Sequence, residues 1–134
     1  MSGLVLKLSP RERVLINGAV IENGERRSRI NIVSPNANIL RLRDAIHPEE
    51  ANTPVKRICY ITQLILSGDV DVEIGRRQLL TGVEQLSQVF KDPDSREILA
   101  IATGHLVDAN YYPALKTLRS LLDREERLLA VQAS

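Results

Sequence analysis

Apolar and polar residues alternate with period two through the first third of this chain and follow helical spacing through the rest. Leu4, Leu6 and Leu8 alternate with Val5 and Lys7, the period of a strand with one buried face. Ser9-Pro10-Arg11-Glu12 interrupts that run. Val14 to Ile16 and Ala19 to Glu22 then predict a hairpin across Asn17-Gly18, and Arg26 to Val33 is expected to return after Asn23-Gly24, because Asn and Gly tolerate the positive φ of tight hairpin turns. The cluster Ser34-Pro35-Asn36-Ala37-Asn38 is a turn signal, and Ile39 to Arg43 completes about five strands. On the fourth, Ile30 and Ile32 share one face while Arg27, Arg29 and Asn31 take the other. On the fifth, Leu40 and Leu42 oppose Ile39, Arg41 and Arg43.

From Pro48 onward the period becomes helical. Pro48 or Pro54 can occupy a first helical turn, and the helix is expected to run to Leu66 with Gly68 just past its end. Lys56 and Arg57 would oppose the macrodipole of a helix starting at Pro54, so the start near Pro48 is expected. Asp69 or Asp71 should cap a second helix with Leu79, Leu80, Val83, Leu86 and Phe90 inward. Asp92-Pro93-Asp94-Ser95 should cap a third, using Leu99, Ala102, Leu106 and Ala109. Tyr112-Pro113 opens a last helix carrying Leu115, Leu118, Leu122 and Leu129, with Leu121 and Leu128 alongside. The expected fold class is therefore α+β: residues 1–47 form a small N-terminal antiparallel sheet, and residues 48–134 form a bundle of about four helices packed on it.

Charge adds a polarity that composition hides. The 134 residues carry a formal net charge of +1, but residues 1–47 hold eight Lys/Arg against four acids and the remainder ten against thirteen. A basic sheet on an acidic helical body points to a polyanionic partner for the first part. Arginine suits phosphate recognition, and Arg27, Arg29, Asn31, Arg41 and Arg43 are the candidate RNA-contacting residues. The competing reading is that these arginines solubilise an exposed sheet face or discourage edge pairing. Aromatic content is 3%, with no aromatic residue in the strands, so base stacking on a sheet platform is not expected.

Other chemistry is sparse. Gly75-Arg76-Arg77-Gln78-Leu79-Leu80-Thr81-Gly82 lacks the Gly-Lys-Ser/Thr ending of a phosphate loop and has the apolar spacing of a helix interior. His47 and His105 stand apart from other metal ligands; His47, before a proline, is expected to cap a helix or lie at the surface. No Ser/His/Asp order or recognisable carboxylate pair is present, so no catalytic residue, metal or cofactor is assigned. Cys59, in the apolar setting Ile58-Cys59-Tyr60-Ile61, is expected in the core. No signal peptide and no membrane span are expected, which fits a reducing cytoplasm.

Four stretches carry a resemblance. The Leu-x-Leu run near the N-terminus, Arg11-Glu12-Arg13 followed by Ile16-Asn17-Gly18-Ala19-Val20-Ile21-Glu22-Asn23-Gly24, and Ile39-Leu40-Arg41-Leu42-Arg43-Asp44 resemble the bacterial flagellin-synthesis regulator family FlbT, as does Cys59-Tyr60-Ile61-Thr62-Gln63-Leu64-Ile65-Leu66. The resemblance covers most of the chain and is densest through residue 66. It implies a cytoplasmic post-transcriptional regulator, usually a repressor, that binds the 5′ untranslated leader of flagellin mRNA, as single strand or stem-loop, and controls its translation and decay. More distantly, Ile39-Leu40-Arg41-Leu42-Arg43-Asp44-Ala45-Ile46 is similar to the last strand of the carbon storage regulator CsrA, which implies RNA at sheet edges and an intertwined dimer. Open strand edges likewise suggest a homodimer through the sheet. The alternative function is a non-enzymatic adaptor whose helical half grips a flagellar regulatory protein.

Overall fold

The computed structural model describes residues 3–133. Among them are five strands, β1 (Leu4–Leu8), β2 (Arg13–Ile16), β3 (Ala19–Glu22), β4 (Ser28–Ile32) and β5 (Ile39–Arg41). Five α-helices follow, α1 (Pro54–Ser67), α2 (Val72–Ser87), α3 (Pro93–Val107), α4 (Tyr111–Arg119) and α5 (Leu122–Ala133). The α+β class expected from the sequence is the class observed.

The strands form two antiparallel sheets, a β1-β4 ribbon and a three-stranded β3-β2-β5 sheet. Asn17-Gly18 makes the expected tight turn, with φ of 48° and 87°. Asn17 also accepts the Asn38 N–H through its side chain at 2.9 Å and donates its own N–H to Asn38 O at 2.9 Å, which brings β5 in beside β2. The second Asn-Gly does something else. β4 does not pair with β3; it crosses to β1, in a register that sets Leu4 opposite Ile32, Leu6 opposite Ile30 and Lys7 opposite Arg29. Gly24 is not among the residues with positive φ. Asn23 instead serves as a clamp: its amide donates to Ser9 O (2.7 Å) and Arg26 O (2.9 Å), and its Oδ1 accepts from Ser28 Oγ (2.7 Å). A side-chain amide that mimics backbone groups in this way is an Asx device the dipeptide rule does not anticipate.

Leu6 and Leu8 of β1, Val14 of β2 and Ile39 and Leu40 of β5 join the helical side chains in one apolar core. β5 departs from strict alternation, since Ile39 and Leu40 are both buried while Leu42 is exposed, because the chain turns into a 3-10 segment at Leu42–Asp44. The amide of Gln63 on α1 then holds the backbone of Ile46, accepting its N–H (2.7 Å) and donating to its C=O (3.1 Å). Arg119 of α4 donates to Asp44 O at 2.9 Å.

The helix begins at Pro54, not Pro48; Pro48 opens a separate 3-10 turn capped by His47. Lys56 and Arg57 therefore do lie in the first turn of α1, against the macrodipole. A carboxylate from far along the chain offsets them: buried Glu125 of α5 accepts the Val55 N–H at 2.8 Å and the Thr53 hydroxyl. Asp71 and Asp92 cap α2 and α3 as expected, and Gly68 ends α1 in the left-handed region at φ 81°. Gly75 and Gly82 sit seven residues apart on α2, where a Cβ would come within 2.8 Å of Ile65 and Ile58 of α1. Those glycines set the close antiparallel approach of the two helices. The expected last helix is two, broken at Ser120-Leu121. Leu115, Leu118 and Leu121 are core, while Leu128 and Leu129 are exposed rather than part of a buried seam. No helix among the described residues is long and apolar enough to cross a membrane.

Candidate nucleic-acid interface

The charges of the first 47 residues divide cleanly once ion pairs are drawn. Glu12 sits at the centre of one group. It is buried, accepts the Ser9 N–H at 3.0 Å, and receives Arg41 through two nitrogens at 2.7 and 2.8 Å, with Arg43 Nε at 3.7 Å. The Arg41 hydrogen bond above all holds the Glu12 carboxyl down to about 2, against the opposing cost of burial, and the same bond raises Arg41. Arg41 also donates to Lys7 O at 2.5 Å, so one guanidinium ties β5 of one sheet to β1 of the other. Arg13 pairs with Glu22 at 2.9 Å, and Arg11 with Glu25 at 3.0 Å and Glu22 at 3.5 Å. The Arg13 contact lowers Glu22 below the ordinary carboxylate range. Asp44 faces Arg119 at 3.7 Å.

Of the cations in the first 47 residues, four have no acidic partner among the described residues: Lys7, Arg26, Arg27 and Arg29. All belong to β1, β4 or the approach to β4. Because side chains alternate across a strand, Val5, Lys7, Arg27, Arg29 and Asn31 share the outer face of the ribbon, opposite Leu6, Leu8 and Ile30. Lys7 and Arg29 are direct cross-strand partners. Like charges so placed destabilise a sheet, and nothing within the fold offsets them. Lys7, Arg27, Arg29 and the hydroxyl residues Ser9 and Ser28 line a shallow cleft of about 430 Å³.

The five residues expected to contact RNA are thus not one surface. Arg27, Arg29 and Asn31 are exposed together on the ribbon. Arg41 is mostly buried, with 12% of its side chain exposed, and is committed to Glu12; Arg43 lies in the 3-10 turn of the other sheet. The expectation of four solvent-facing arginines on adjacent strands fails because β4 and β5 belong to different sheets. Lys7 was the cation missed: its place opposite Arg29 follows from a β1-β4 pairing that skips two intervening strands, and local patterns do not encode that pairing.

No group of three His, Cys, Asp or Glu side chains comes together among the described residues as a metal site would require. Cys59 is wholly buried, and desolvation pushes its thiol up to about 12, which makes it an inert core residue.

Residues 4–129 match the family model described as flagellar protein FlbT. A probable flagellum biosynthesis repressor protein FlbT of Rhodopseudomonas palustris is 35% identical over 127 residues, covering 95% of this chain and 98% of its own. The flagellum biosynthesis repressor protein FlbT of Caulobacter vibrioides is 28% identical over 126 residues, covering 94% and 89%. No solved structure matches.

Proposed function

This chain belongs to the FlbT family of flagellar proteins, and on that premise we propose that it is a non-enzymatic, cytoplasmic regulator of flagellin synthesis that binds the 5′ untranslated leader of flagellin mRNA. The bound leader lies on the outer face of the β1-β4 ribbon, and its occupancy controls translation and decay, with repression the expected sign given the names of the relatives. The observation that carries this reading is the gathering of three of the four acid-free cations of the first 47 residues, Lys7, Arg27 and Arg29, onto that one face. Their mutual repulsion, unrelieved within the fold, is relieved by a phosphate backbone. Asn31 and the Ser9 hydroxyl supply hydrogen bonds beside the charges, and the lack of aromatic residues in the strands favours contact with phosphates and base edges over stacking.

The test is a titration of flagellin leader RNA at several salt concentrations. Replacing Lys7, Arg27 or Arg29 by Ala should each weaken binding and lower the logarithmic salt slope by about 0.7, the value for one single-strand phosphate contact. Arg13→Ala, at a cation already paired with Glu22, should leave the slope unchanged. Equal slopes for wild type and all three ribbon variants, with melts confirming that they fold, would remove the ribbon as the RNA surface.

A further inference from the structure

Between α1 and α2, on the helical half and apart from the ribbon, lies an apolar groove of about 510 Å³. Its floor is Ile58, Ile61, Leu86 and Gly82. Gly82 deepens it, since a Cβ there would already strike Ile58. On α2 the lining positions 78, 81, 82, 85 and 86 follow one helical face, and Val89 continues that side in the turn just past the helix end, which at about 1.5 Å per residue gives a trough of roughly 16 Å, or three turns of a docked helix. Val89 at its end is 53% exposed.

The rim is positive. Arg57 stands on the α1 wall and Arg77 on the α2 wall, both exposed, neither ion-paired among the described residues, and no acid lines the groove. Arg57 is held there against the α1 macrodipole, a placement that the Glu125 cap on the same helix end makes tolerable. Because Ile58 opposes Gly82, Arg57 is level with about residue 83, six residues or roughly 9 Å along the axis from Arg77.

We infer that this groove receives an amphipathic helix of a partner protein, with an apolar stripe of about three turns and acidic residues on its two flanks spaced about six or seven positions apart. The trough takes the apolar stripe and the two arginines take the flanking carboxylates, so that recognition is apolar at the centre and electrostatic at the edge. A free RNA strand would answer the arginines but leave the apolar floor uncovered, which favours a protein helix.

The test uses the full chain and two synthetic helical peptides sharing one apolar stripe, one flanked by Glu and the other by Lys. In fluorescence anisotropy the Glu peptide should bind at least tenfold more tightly than the Lys peptide, and the difference should shrink with added salt. The double variant Arg57→Glu/Arg77→Glu, exposed positions that leave folding intact, should reverse that order while retaining its affinity for leader RNA. Equal binding of both peptides, binding of neither, or competition by leader RNA for the groove would overturn the proposal. So would a change in oligomeric state by light scattering in the double variant, which would assign the groove to a second copy of this chain.

Discussion

Tyr111 carries the one buried side-chain polar atom without a hydrogen-bond partner among the described residues. An unsatisfied buried hydroxyl keeps its desolvation cost and returns nothing. Tyr111→Phe should therefore stabilise the protein by about 1 kcal/mol, seen as a rise of about 4 °C in Tm for a chain of this size; a fall in Tm would show that the hydroxyl is satisfied in solution. Glu12 presents the opposite case. Its folded carboxyl titrates near 2 and its unfolded one near 4.5, so the pair's contribution is fully present above about pH 4.5 and is lost as pH falls toward 2. At 1.36 kcal/mol per tenfold change in proton affinity the ceiling is about 3 kcal/mol, and solvent at the Arg41 side brings it to roughly 1 to 2. Glu12→Gln should remove most of that acid sensitivity between pH 5 and 2.5, measured by denaturant midpoints at each pH. An unchanged pH profile would mean that other carboxylates govern it.

At the scale of the elements, the two glycines of α2 separate helix propensity from packing. Gly75 would place a Cβ at 2.8 Å from two carbons of buried Ile65 and 3.5 Å from Val70, whereas Gly82 meets only Ile58, which has open groove beside it. Alanine gains about 1 kcal/mol over glycine in a helix interior, and overpacking costs about 1 to 3. Gly75→Ala should thus lower Tm while Gly82→Ala leaves it close to wild type; equal shifts would refute the difference in room. The elements themselves were legible where the signal is local: the Asn17-Gly18 hairpin, the Asp71 and Asp92 caps, the Gly68 stop. What escaped the sequence is long-range. The β1-β4 pairing, the Glu125 cap that permits a start at Pro54, and the capture of Arg41 by Glu12 each join residues far apart in the chain. The candidate site was half legible for the same reason, since Arg27, Arg29 and Asn31 declare a common face by alternation alone, while Arg41 looks identical to them until its partner is placed.

The molecule as a whole does not divide where its composition changes. Leu6, Leu8, Val14, Ile39 and Leu40 are covered by the helices, through one core that crosses the boundary near residue 47. Such side chains contribute roughly 1.5 to 3 kcal/mol each when buried, so losing the cover of all five approaches the entire stability of a small domain. A chain truncated after Asp44 should show no cooperative melt, and a monomeric fragment that melts cooperatively by circular dichroism would contradict the shared core.

The Glu125 carboxylate that closes the first turn of α1 is 70 residues downstream of Val55, the N–H it accepts. During synthesis at about 5 to 20 residues per second, α1 leaves the ribosome roughly 4 to 14 seconds before Glu125 does. Throughout that interval the first turn of α1 has its local Thr53 cap but lacks the carboxylate that offsets Lys56 and Arg57. The start of α1 therefore gains its compensating charge last, after α2 and α4, which cover its apolar face, have been made.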